Sequence, residues 1–201
     1  MENRFLKIHL SYIKELYNQL PDDLDKCICA MREGDVFRFK AFGQPCAISP
    51  EGIYLSGELM TGEMGITIAL YANFATDTEV QLLPPKALAQ IEGTQPLKDY
   101  FKAQSEQILV PHASYIRESM DRILKAFDGF INPDEDGGDF SFTLFPLPKV
   151  PLYYIFYMAD SEFPASVTCL FAANAELFMP VDALADVGEH TAKRIIEIIS
   201  S

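Results

Sequence analysis

The sequence predicts an α+β fold, and three observations carry that reading. Apolar residues recur at helical spacing near the N-terminus, through the middle and at the C-terminus. In two other stretches they alternate or run without interruption, as strands require. The order is helix, strands, helices, strands, helix, which argues against a regular βαβ repeat with a parallel sheet. No Gly/Ser-rich linker and no internal repeat interrupts the 201 residues. The expectation is therefore one domain over 1–201: an N-terminal helix and antiparallel meander, a helical middle, and a mostly antiparallel C-terminal sheet with a closing helix.

In residues 5–20, Phe5, Ile8, Tyr12, Ile13, Leu16 and Leu20 form one helical stripe. Pro21-Asp-Asp23 ends it and starts a short second helix expected to run through Met31. Asp35-Val-Phe-Arg-Phe-Lys-Ala-Phe42 puts Phe37, Phe39 and Ala41 on one face and Arg38 and Lys40 on the other, a half-buried strand. Gly43-Gln-Pro45 turns it into Cys46-Ala-Ile48, and Ser49-Pro-Glu-Gly52 is a type I turn with Pro preset at its second position. Residues 53–55 complete the meander.

Residues 62–75 return to helical period, with Thr61 the expected cap and Glu63 in the first turn, where the helix dipole favours an anion. Pro84-Pro85 marks an irregular connection, and residues 97–109 read as helix. The clearest helix spans 111–127. Its stripe is Ala113, Ile116, Met120, Ile123, Leu124 and Phe127, with Glu118–Arg122 and Asp121–Lys125 spaced to pair outside it. Asp128-Gly129 stops it. Residues 139–144 alternate as a strand, and Pro146-Leu-Pro148 reads as a connection. Residues 150–159 are almost continuously apolar or aromatic, which predicts a central strand covered on both faces. Residues 166–171 read as its neighbour and 180–199 as the closing helix.

Composition narrows the function classes. Hydrophobic residues make up 49 %, enough for a core without disulfide or metal staples. Cys27, Cys29, Cys46 and Cys169 are spaced too unevenly for a disulfide framework or a four-thiolate cluster and read as small buried residues. Charges at Lys7, Lys14 and Glu15 interrupt any signal-peptide core. The longest runs free of charged residues, 64–76 and 163–175, have 13 residues each, short of a membrane span. A cytoplasmic location follows as the expectation.

The net charge of −13 is lopsided. Residues 128–189 hold eleven acids against Lys149 alone, a net of −10. That field repels phosphate backbones and anionic lipid, so nucleic acid and membrane are not expected partners; a basic protein or a small ligand is.

Two patterns carry candidate chemistry. Asn132-Pro-Asp134-Glu-Asp136-Gly137 matches the first half of a calcium loop, with Asn132, Asp134 and Asp136 as oxygen ligands. Position 12 of that loop is Thr143, where a bidentate Glu would be needed, and the alternative is a solvated turn. Asp160-Ser-Glu162, after the most apolar strand, offers two carboxylates for acid–base or metal chemistry, with Tyr153, Tyr154 and Tyr157 near in sequence. The alternative there is a polar corner in which Asp160 satisfies turn amides. His9, His112 and His190 show no ligand spacing. Neither a phosphate loop nor a dinucleotide fingerprint occurs, and the sequence names no cofactor.

Phe145-Pro-Leu-Pro-Lys-Val-Pro151, Asp160-Ser-Glu162-Phe-Pro164, Leu170-Phe171 and Met179-Pro180 before a helix resemble the uncharacterised bacterial and archaeal family known as domain of unknown function 3786. Some members of that family carry an iron–sulfur designation through neighbouring cluster-binding modules in anaerobes. This chain has no four-cysteine motif, so that label does not carry over. Relatives tend to show an Asp where this chain has Ala172, which weakens any joint site with Asp160 and Glu162. The resemblance implies an accessory role in anaerobic metabolism. The leading expectation is a non-enzymatic binding or accessory domain; the alternative is a small metal-dependent or acid–base enzyme using Asp160 and Glu162.

Overall fold

The apolar stripes read from the sequence are buried against one another in a continuous core that joins two antiparallel sheets. A computed structural model describes residues 4–133 and 137–201. Helix α1 (Arg4–Asn18) buries His9, Ile13 and Leu16. The second helix, α2 (Leu24–Cys27), is shorter than expected. Cys29 takes a left-handed φ of 52°, and the Ala30 amide turns back to the Asp25 carbonyl at 2.8 Å. Met31 therefore opens a strand instead of ending a helix.

That strand is β1 (Met31–Glu33), followed by β2 (Val36–Ala41), β3 (Gln44–Ser49), β4 (Gly52–Leu55) and β5 (Glu58–Leu59) in a sequential five-stranded meander. Register places Phe37, Ile48 and Ile53 in one cross-strand row, and all three are fully buried. Arg38 lies on the other face, exposed, as the alternation requires.

Helix α3 (Glu63–Phe74) has Gly62 at its N-cap position, not the expected Thr61. It packs on α1, and Gly65 makes that approach possible: a Cβ there would lie 3.0 Å from His9 Nδ1. From its buried face Tyr71 donates its hydroxyl to the Ile28 carbonyl at 3.1 Å and accepts the Lys149 amide at 3.3 Å.

After a short strand β6 (Lys86–Ala87), the expected long helices are present but broken. Helix α4 (Lys98–Phe101) widens into a π turn (Lys102–Glu106) and then a 3-10 turn (Gln107–His112) that accommodates Pro111. Helices α5 (Ala113–Glu118) and α6 (Met120–Phe127) are separated at Ser119, and Asp128 closes α6 with φ 52°. The π turn aims Glu106 at the second sheet, where its carboxylate accepts the Cys169 amide at 2.9 Å. Arg122 turns away from Glu118 and donates to Ile198 O and Ser201 Oγ, each at 2.8 Å.

The second sheet has the order β6, β10 (Ser166–Phe171), β9 (Val150–Tyr157), β8 (Phe140–Leu147), β7 (Phe130–Ile131). Strand β9 is central, as its apolar run predicts. Its inner face is sealed: Leu152, Tyr154 and Phe156 are fully buried, and Phe140 stacks on Phe156 at 4.5 Å. The outer face departs from the expectation of full cover, because Tyr153 and Ile155 are half-buried and Tyr157 is exposed. Pro146 and Leu147 stay in β8 beyond a bulge, so the turn falls at Pro148-Lys149. The closing helix α7 (Ala183–Ser200) is capped by Asp182, which accepts the Ala183 amide at 3.1 Å.

Two outcomes follow. Tyr71→Phe leaves the Ile28 carbonyl and the Lys149 amide without their buried partner. It lowers stability by about 2 kcal/mol, seen as a lower urea midpoint at unchanged m-value. His190, buried with its ring edge-on to Phe42, has its pKa pushed down to about 4 by burial. The unfolded chain binds that proton near pH 6.5 and the folded one only near 4, so stability falls as pH drops through that window. His190→Gln removes this loss, up to about 3 kcal/mol between pH 6.5 and 4, in urea titrations across pH.

Candidate functional site

Asp160 and Glu162 sit where β9 leaves the sheet, and both are exposed. Asp160 Oδ1 accepts the amides of Glu162 at 2.8 Å and Phe163 at 2.7 Å, while the Asp160 amide donates to Phe163 O at 3.0 Å. Those amide bonds, from Phe163 first and then Glu162, hold the Asp160 carboxyl below the usual range. This is the geometry of a carboxylate tying a turn. An open groove beside it runs between Asp139, Tyr157 and Phe163, and Asp139 Oδ2 accepts the Met158 amide at 2.6 Å.

Position 172 does not join this corner. Register sets Ser166 opposite Tyr157 and Phe171 opposite Leu152. The start and end of β10 are thus about 17 Å apart at strand spacing, and a side chain at 172 belongs to the end remote from Asp160.

The calcium-loop reading resolves differently. Asp134 and Asp136 lie outside the described residues. Asn132 is 4 % exposed, and its Oδ1, the atom a cation would need, accepts the Thr143 hydroxyl at 2.7 Å. Positions 1 and 12 of the expected loop do meet, as a hydrogen-bonded pair. Among the described residues no group of three or more His, Cys, Asp or Glu can hold a metal ion.

That pair belongs to the wall of a cavity on the outer face of the second sheet. Leu170, Tyr153, Thr143 and Phe130 form a cross-strand row on this face. Two connections lie over one end of the row: Leu82-Leu83, and the chain leaving β7 through Asn132 and Pro133. They leave a space of about 160 Å³, also bordered by Ala172. One lip is held by Asn174, whose Oδ1 accepts the Gln81 amide and whose Nδ2 donates to Glu79 O, each at 2.9 Å. The Ala173 amide adds a bond to Gln81 O at 2.7 Å. Leu83 itself is 69 % exposed and forms the rim. Asn132 Nδ2 is buried and has no acceptor among the described residues.

Sequence reasoning missed Leu82, Leu83, Thr143 and Asn174 as site residues. Leu82-Leu83 ahead of Pro84-Pro85 was the available signal: an apolar pair in an irregular connection has to be placed against something. Cys46 and Cys169 are buried as expected, and burial pushes the Cys46 thiol up to about 12; Cys29 is exposed. Lys149, the one base in the acidic stretch, is buried with Nζ on the carbonyls of Thr76 (2.7 Å) and Thr78 (3.1 Å). The acidic surface therefore keeps its charge.

The family model described as Domain of unknown function (DUF3786) matches residues 21–194, and the chain belongs to that family. No curated protein and no solved structure matches it. Among the described residues no helix is long and apolar enough to cross a membrane.

Asp160→Ala frees the two turn amides. Hydrogen exchange at Glu162 and Phe163 is expected to speed up while exchange in β9 and β10 stays unchanged. Retained protection at those two amides would show that the corner holds without its carboxylate.

Proposed function

We propose that this member of the DUF3786 family is a non-enzymatic binding domain whose partner is a small apolar molecule held on the outer face of the second sheet. One observation carries the reading: the space of about 160 Å³ between Tyr153, Phe130, Ala172 and the Leu82-Leu83 lip. An apolar cavity of about 150 Å³ is enough to take up benzene. The lip is not a slack loop, since Asn174 and Ala173 fix the backbone on its N-terminal side. Apolar sites with a few placed polar groups are the common form of small-ligand pockets.

The acidic pair supports chemistry less well. An acid–base role needs burial or a charged neighbour to set two carboxyl pKa values apart. Asp160 is instead exposed and bound to turn amides. The charge of −13 fits the same binding reading, since it repels nucleic acid and anionic lipid and leaves a neutral molecule unaffected.

Thermal unfolding with millimolar toluene tests this. A ligand at tenfold its Kd adds about 1.4 kcal/mol, a rise of about 3–5 °C for a domain this size. Ala172→Leu fills the space and is expected to abolish the rise; its own circular dichroism shows whether it folds. Leu83→Ala, at an exposed position, is expected to weaken binding without loss of fold. No rise in the native chain, or a rise untouched by both substitutions, overturns the proposal.

A further inference from the structure

The cavity wall is apolar apart from a few groups, and one of them is unsatisfied. Asn132 is more than nine-tenths buried, and its oxygen is already taken by the Thr143 hydroxyl. A side-chain amide carries two N–H donors. Nδ2 meets no acceptor among the described residues, and a buried donor left unpaired is costly. The same residue lines the space described above. Turning the amide over does not remove the problem: Thr143 would then accept from Nδ2, and the oxygen would lie unpaired among apolar side chains.

We propose that the ligand is a small ring compound bearing one uncharged carbonyl, its ring against Tyr153 and Phe130 and its oxygen on the Asn132 amide N–H. This rests on the binding reading above and adds the chemical class. Charge decides against an anion. None of the described residues that line the cavity is Lys, Arg or His, so a carboxylate would lose its water without gaining a counter-ion. The chain's excess of 29 acids over 16 bases opposes an anion further. A cation is also disfavoured, since none of the described residues that line the space carries a carboxylate and the Asn132 oxygen is engaged. A carbonyl is a pure acceptor and brings no second donor that needs a partner in the apolar wall.

The test uses cyclohexanone and methylenecyclohexane, which differ by C=O against C=CH2 at nearly equal shape. Dissociation constants are measured for both in the native chain, in Asn132→Leu and in Asn132→Asp. Cyclohexanecarboxylate serves as the anionic arm. The affinity of the ketone relative to the hydrocarbon is expected to fall about three- to tenfold in Asn132→Leu. Asn132→Asp, which keeps the shape and removes the donor, gives the same direction if the Leu variant fails to fold.

In 15N-labelled native protein, the Asn132 side-chain amide resonance shifts downfield with the ketone and not with the hydrocarbon. If both compounds bind, with an unchanged ratio in the variants and no selective shift, the carbonyl inference is overturned and the apolar binding site stands. If neither binds the native chain, the binding reading itself falls. Tighter binding of the carboxylate than of the ketone overturns the requirement for an uncharged ligand.

Discussion

The hydroxyl of Tyr71 is the point on which the two halves of the structure are hung. It donates to the carbonyl of Ile28, just beyond α2, and accepts from the amide of Lys149, in the turn between β8 and β9. Lys149 then reaches the carbonyls of Thr76 and Thr78, past the end of the same helix that carries Tyr71. The Phe42 amide adds a bond of 2.6 Å to Pro146, from the hairpin of the first sheet to the last turn of β8. These groups are polar and buried, so each must be paired at one particular separation. Apolar packing alone would tolerate sliding of one sheet past the other. The hydrogen bonds do not, and they fix where the start of β9, and with it the cavity above Pro151 and Tyr153, comes to lie.

Much of this was legible along the chain because it depends on local period. The alternation of Phe37, Phe39 and Ala41 against Arg38 and Lys40, the central place of β9 and the turn at Asp160 all follow from neighbours a few residues apart. The failures share one cause. Whether residues 111–127 form one helix or two depends on how Ser119 is packed, and the bulge in β8 depends on its partner strand. The outer face of β9 reads as buried from its composition alone. It is in fact half-covered, because the cover comes from Leu82-Leu83, some seventy residues earlier in the chain. Thr143 stands at position 12 of the loop read from the sequence, but a spacing cannot say that its hydroxyl meets the Asn132 oxygen.

Among the described residues, buried side-chain polar atoms without a partner occur on His9, Ser105, Asn132, Tyr154, His190 and Arg194. His9 and His190 are held neutral by burial, His9 between α1 and α3 and His190 against Phe42. Both are buried and neither lines the cavity, so they weigh on stability. Asn132 differs because it borders open space. A buried donor on a side chain that lines a cavity is one that a guest could satisfy, whereas the same donor in a filled core is only a cost.

The carboxylate that the π turn delivers to the Cys169 amide has a further consequence. Strand β10 is matched by β6 at Leu170 and Phe171 only, which leaves the rest of that margin to find partners elsewhere. With Glu106 seated on it, the Cys169 amide is not vacant for an incoming strand, and the sheet is not extended through that position. Burial raises the Glu106 carboxyl above its ordinary value, so its neutral form is favoured there and its hold on the Cys169 amide weakens as pH falls.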